Sequence, residues 1–275
     1  MNKCFYEMNA KRNMDNVLSH GLYVPSEEDY KKIDYVNSYI SGFNYQPNYS
    51  FIPSFFALEL HKALSDIGAY YDFEAMDEAY EKIDGVEIVA RSKYGYSTGF
   101  DINGNPKVLE IPANVNRLSS VYIGHELIHL LKDGRRNEFY DLYLYREVLP
   151  IFHELLMADN SFMKKTARFL VYEIIHHLRE MVSFNKIIID SHIIEDKELE
   201  KYFSLDTDVY SLSYYYAVSL YDVYLEYKED VLNSIGLVLS GYRTTRDLLN
   251  AFDLFDDDDL GQFLHKNNQL IKSCM

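Results

Sequence analysis

The sequence predicts a mainly α fold with a small antiparallel β-sheet, on three observations. Apolar residues recur at three- and four-residue steps over most of the chain. β-Branched runs crowd one short stretch after Asp84-Gly85. At 48% hydrophobic and 25% charged, the 275 residues carry enough apolar material for a sizeable core.

The first predicted helix runs from Ser26 to Tyr39, where Ser26 followed three residues later by Asp29 is an N-cap signature. A second runs from Ser54 to Ile67, after a loop at Asn44–Ser50 marked by Pro47 and two asparagines, and a short third from Met76 to Ile83. Val86–Ala90 and Val108–Pro112 read as strands, separated by Gly95, Gly99 and the turn residues Asn103-Gly104-Asn105-Pro106. Helical periodicity returns over Leu118–Leu131 and continues through 141–159, 162–186, 211–226, 231–239 and 245–252. The change of pattern near Gly85 divides the chain into a helical region, 1–83, packed on a second part, 84–275, within one compact unit.

Charge and composition narrow the function. A net charge of −16 argues against nucleic acid as a partner, since phosphate contacts need a basic face. No apolar run approaches the roughly 18–20 residues that span a bilayer, and the first residues are too polar for an export signal. Cys4 and Cys274 cannot build a disulfide framework, which suits a reducing, cytoplasmic compartment. The run Asp256–Asp259 reads as a solvated turn or helix cap rather than a metal site.

One motif carries chemistry. Gly124-His125-Glu126-Leu127-Ile128-His129 sets two imidazoles four residues apart on one helical face, with a carboxylate after the first. Side chains at that spacing converge on one cation, about 2.0–2.1 Å from each nitrogen, and Zn2+ is the ion this His-Glu-x-x-His pattern takes. The helix is otherwise almost wholly apolar, so two histidines and a glutamate buried there need partners or a metal. The competing reading makes them core histidines, with Glu126 paired to Arg135 or Arg136. A catalytic zinc needs a third protein ligand, and Glu147 and Glu154, seven residues apart, are the candidates. One would ligate while the other, or Asp159, holds a histidine through its second ring nitrogen. The stretch around Leu109, Glu110 and Ile111 offers a strand edge for pairing with an extended peptide backbone.

Three blocks resemble the zinc oligopeptidases typified by oligoendopeptidase F and thimet oligopeptidase, gluzincin-type metallopeptidases. Val108–Leu118 leading into the motif helix is similar to that family's strand, Asn-containing turn and His-Glu-x-Gly-His helix, with Ile128 in place of the glycine. Glu147 through Glu154 resembles its third-ligand helix, which nominates Glu147, although spacing from His129 favours Glu154. Tyr214-Tyr215-Tyr216 and the later Val238–Leu249 resemble its Tyr-rich helix and closing helix pair, in the same order. The family's histidine shortly before the Tyr-rich helix has no counterpart in Ser204–Asp208.

The resemblance implies a zincin-like catalytic domain over 84–275, one Zn2+ per chain held by His125, His129 and Glu147, and Glu126 as general base. It implies an oxyanion donor among Tyr216, Tyr214 and Tyr210, with Tyr216 first. The expected activity is hydrolysis of peptide bonds in short peptides. The alternative is a catalytically weak or inactive homologue that binds zinc or peptide.

Overall fold

The computed structural model describes residues 3–20, 25–42, 53–91, 96–100, 106–133, 144–159 and 164–255. The expected loop at 44–50, Gly95, the turn at 103–105, Arg135, Arg136, Asp256–Asp259 and Cys274 lie outside the described residues. The described part is mainly helical with a small mixed three-stranded sheet. No described helix is long and apolar enough to cross a membrane.

Helix α1 (Lys3–His20) was not among the expected elements. Its apolar residues do not keep to one stripe, and Met8 and Leu18 are left exposed, so its periodicity is weak. It packs on α8 (Lys197–Phe203), another helix the sequence did not announce, where Ala10 joins Ile188, Ile194 and Phe203 in a small separate cluster. Helix α2 (Glu27–Ser41) begins as expected: Ser26 accepts from the Asp29 amide while Asp29 accepts from the Ser26 amide, a reciprocal cap. Helices α3 (Phe56–Tyr70) and α4 (Phe73–Asp84) follow.

The sheet comprises β1 (Glu87–Arg91), β2 (Ser97–Phe100) and β3 (Pro106–Pro112), in the order β1-β3-β2. It is mixed where an antiparallel sheet was expected, because β2 takes the antiparallel place beside β3 and leaves β1 to pair in parallel with the other edge. Strand β2 was missed because four residues that include Ser97 and Gly99 carry little strand propensity.

Helix α5 (Ser119–Asp133) is buried through the full length of the motif and packs against α3, α4 and the next helix, α6 (Val148–Asp159). Asn116 starts α5 by accepting from the Leu118 amide, and Lys82 of α4 caps its end on the Leu130 and Leu131 carbonyls. The helix expected over 141–159 is broken at Arg146-Glu147: Leu144 and Tyr145 are helical, and α6 proper starts at Val148. Pro150 has no amide to give the Arg146 carbonyl, so it fits only the first turn, and Glu147 becomes the residue whose carbonyl accepts the first bond, from Ile151.

Helices α7 (Lys164–Asp190), α9 (Leu205–Glu226), α10 (Lys228–Leu239) and α11 (Thr245–Ala251) complete the described elements. Gly241, at φ 75°, ends α10 with paired bonds from the Tyr242 amide to Leu237 and from the Gly241 amide to Val238, a left-handed stop that suits glycine. Helix α9 is buried nearly all round and packs against α2, α6, α7 and α10. One core runs through α2–α7 and α9–α11, so residues on both sides of Gly85 share it.

Candidate active site

Helix α5 presents His125 and His129 on one face, with ring centroids 5.1 Å apart. Glu147, at the start of α6, reaches both: its Oε2 lies 3.2 Å from His125 Nε2 and 3.2 Å from His129 Nε2. Arg146 holds the other oxygen, donating from Nε to Oε1 at 2.8 Å, which leaves Oε2 turned to the imidazoles. Glu154, two turns further along α6, lies on the far side of His125, its Oε1 2.9 Å from Nδ1. The two glutamates therefore divide one histidine between them. All four residues are buried, at 2–8% exposure.

The arrangement depends on how closely α6 approaches α5. His153, fully buried on α6, lies over Gly124, where a Cβ would stand 2.7 Å from its Nε2. Its ring is edge-on to Tyr70 and meets the Tyr71 hydroxyl at 3.3 Å through Nδ1. Burial, and then the charge on His125, push the His153 pKa down to about 3, so the ring is neutral. Gly124 thus has a spatial reason that the motif pattern does not convey.

Electrostatics follow from the pairing. Burial alone would disfavour charge on His125, but Glu154 and Glu147 outweigh it and hold its pKa well above the ordinary value. Burial likewise opposes ionisation of Glu147, and the His129 and Arg146 charges overcome it, so its carboxyl stays well below the usual range.

Among the described residues, His125, His129 and Glu147 form the group whose donor atoms could hold a metal, all within 4.8 Å of one another. Two donors bonded at about 2.0–2.1 Å to a tetrahedral ion stand roughly 3.3 Å apart. The 3.2 Å separations between Glu147 Oε2 and each Nε2 match that spacing. Two imidazoles, one carboxylate and a carboxylate behind a ligating ring are the donor chemistry that zinc takes.

Glu126 follows His125 on α5, is 7% exposed, and accepts from Thr98 of β2: the hydroxyl lies 2.6 Å from Oε2. The tyrosines of α9 sort differently from the expectation. Tyr210 is the one whose proton feels the charges of the cluster. Burial, then the Glu147, Glu154 and Glu126 charges, raise its pKa well above the ordinary value, so it keeps its proton. Tyr216, expected first, is not brought to the site. Six residues further along the helix, about 240° round it, its oxygen accepts from Lys32 of α2 at 3.3 Å while its ring packs on Tyr145 and Phe255. Tyr214 is fully buried in the core.

The substrate edge is also corrected. Strand β3 is central: Leu109 and Glu110 are paired with β1 on one side and β2 on the other, and Ile111 with Ala90 of β1. No open hydrogen-bonding edge remains at Leu109 or Glu110 for a peptide, and the Leu109 and Ile111 side chains are buried. Asp159 ends α6, and its side chain lies outside the described set.

Three neighbours were missed in the sequence. Thr98 lies in a segment with no motif, and Arg146 adjoins the Glu147 block without a signal of its own. His177 of α7 sits edge-on to Tyr210, with centroids 6.0 Å apart. Solvent reaches His177, yet protein crowding around the ring pushes its pKa down, against the pull of Glu154. Only proximity in the fold could have found it.

Comparison of the chain with protein-family models, with curated proteins and with solved structures returns no match.

Proposed function

We propose that the chain is a zinc-dependent metallopeptidase that hydrolyses peptide bonds in short peptides, on a zincin-like arrangement similar to that of the zinc oligopeptidases. The observation that carries this reading is the buried convergence of His125, His129 and Glu147 beside a further carboxylate, Glu126, on the same helix. Zinc held by those three residues would supply Lewis-acid polarisation and bring the pKa of water toward about 7. Glu126 takes the proton of the attacking water and returns it to the leaving amine. Glu154 fixes the orientation of His125 through Nδ1, and Arg146 holds Glu147 in place. Tyr210, kept protonated by burial and by the charges of the nearby carboxylates, donates its O–H to the developing oxyanion. The substrates are peptides, and a cytoplasmic location fits the cysteine usage.

One observation favours a second reading. His125 stands between two carboxylates, at 3.2 and 2.9 Å, so the cluster is charge-paired without any ion. On that reading the chain is a zinc- or peptide-binding homologue with little or no turnover.

Metal content by elemental mass spectrometry, together with cleavage of a quenched fluorescent peptide library before and after chelation, separates the two. About one zinc per chain, chelator-sensitive cleavage, and loss of cleavage but not of zinc in Glu126→Gln are the expected results. Zinc without cleavage supports the second reading, and a metal-free protein that takes up no zinc removes the peptidase reading and the zinc-binding form of the second.

A further inference from the structure

One side chain of the sheet bonds directly to a carboxylate of the motif helix. Strand β2 is one of the two edge strands of the sheet, and Thr98 lies opposite Leu109 of β3. Directly paired residues project from the same face. Leu109 is fully buried, so Thr98 projects inward with it. There its hydroxyl donates to Glu126 Oε2 at 2.6 Å, short enough for a charge-assisted bond. Threonine is stiff at χ1, and a ladder residue has little backbone freedom. The donor is thus fixed by the sheet rather than by α5.

We propose that Thr98 is a positioning residue for the reaction, acting through Glu126; the role rests on the peptidase reading. Its hydroxyl occupies Oε2 and fixes the plane of the carboxyl group. Proton transfer from water then falls to Oε1, and the same oxygen delivers the proton to the leaving nitrogen. A Glu126 without that bond turns about its last torsion, which for a carboxylate is broad. It then presents either oxygen at poorly defined angles, and the loss falls on the step in which the proton moves rather than on peptide binding.

The test uses the full-length zinc-loaded protein and two variants: Thr98→Val, which keeps the shape and removes the hydroxyl, and Thr98→Ser, which keeps the hydroxyl. In Thr98→Val, kcat falls about 10- to 100-fold, as for one hydrogen bond to a charged group. KM and zinc affinity stay within about twofold, and Thr98→Ser recovers most of the rate. A second readout needs no turnover. In metal-free protein labelled with 13C at glutamate carboxyl carbons, the Glu126 resonance, assigned by its absence in Glu126→Gln, moves in Thr98→Val and returns in Thr98→Ser. Wild-type cleavage with an undiminished kcat in Thr98→Val overturns the role of Thr98 and leaves the peptidase reading standing. An unmoved Glu126 resonance overturns the hydrogen bond itself. A zinc-loaded wild type that cleaves nothing overturns the peptidase reading, and this role with it.

Discussion

Replacing Gly124 by alanine sets two opposed effects against each other, and the structure decides which wins. In a helix interior alanine is better than glycine by about 1 kcal/mol, so on propensity alone the variant gains stability. Against that, the new Cβ would stand 2.7 Å from His153 Nε2 and 3.0 Å from its Cδ2. The shorter distance is roughly 0.7 Å inside ordinary van der Waals contact. The ring cannot swing clear, because it is fully buried, edge-on to Tyr70 and bonded to the Tyr71 hydroxyl. Overpacking a rigid core costs about 1–3 kcal/mol, and a boxed-in ring belongs in the upper half of that range, which leaves a net loss of about 1–2 kcal/mol. Thermal unfolding of metal-free protein should show Tm lowered by a few degrees. The companion variant is Gly236→Ala in α10, where an added Cβ meets nothing within 4 Å. That change should raise stability by about 1 kcal/mol. The same substitution thus has opposite signs at two helical glycines. Gly124→Ala melting at or above wild type would refute the close-approach argument, and a normal zinc affinity in it would refute the idea that this contact sets the α5–α6 spacing.

Three further outcomes are expected. Zinc titration should show a much larger loss of affinity in Glu147→Ala than in Glu154→Ala, where about 10–100-fold is expected of a group that only orients a ligand; the reverse order would exchange their roles. Tyr210→Phe should lower kcat about 100-fold or more with little change in Tm, whereas Tyr216→Phe, which removes an acceptor from the buried Lys32, should cost about 1 kcal/mol of stability and leave kcat alone. Asp208, where burial outweighs a hydrogen bond from Ser204, has its pKa raised to about 7. A raised carboxyl pKa contributes stability that is present below about pH 4 and is lost as pH rises through about 7. Asp208→Asn should therefore match wild type near pH 4 and exceed it at pH 8 by up to about 4 kcal/mol, and chemical denaturation at the two pH values would expose an equal gap if the carboxyl were not strained.

The motif on α5 was legible because its chemistry is local: two imidazoles four residues apart share a face in any helix. The third donor was not, since both glutamates lie within reach of the motif and only the break that Pro150 forces before Val148 decides which meets the imidazoles' Nε2 atoms. The tyrosines failed for a different reason. Helix α9 is buried on nearly every face, so apolar periodicity cannot tell which side looks at α6 and which at α2. The sheet failed through β2, whose four residues are too short and polar to register, and with β2 unseen the pairing of β3 was misassigned. Capping at Ser26 was readable, because the bonds run between residues three apart.

The His–Glu cluster is also a matter of chain economy during folding. His129 and Glu147 are 18 residues apart, so bringing them together closes a loop at an entropic cost of about 2–3 kcal/mol. Tyr210 lies more than four times as far along the chain from His129, and its arrival closes a loop about 1 kcal/mol more expensive. The α5–α6 pair with its three donors is therefore the part of the site that can assemble first, and the hydroxyl of α9 is added when the long helices dock. An ion captured at that early stage would bind a partly folded chain as well as the finished one. To that extent it would lower the barrier to folding as well as deepen the native state.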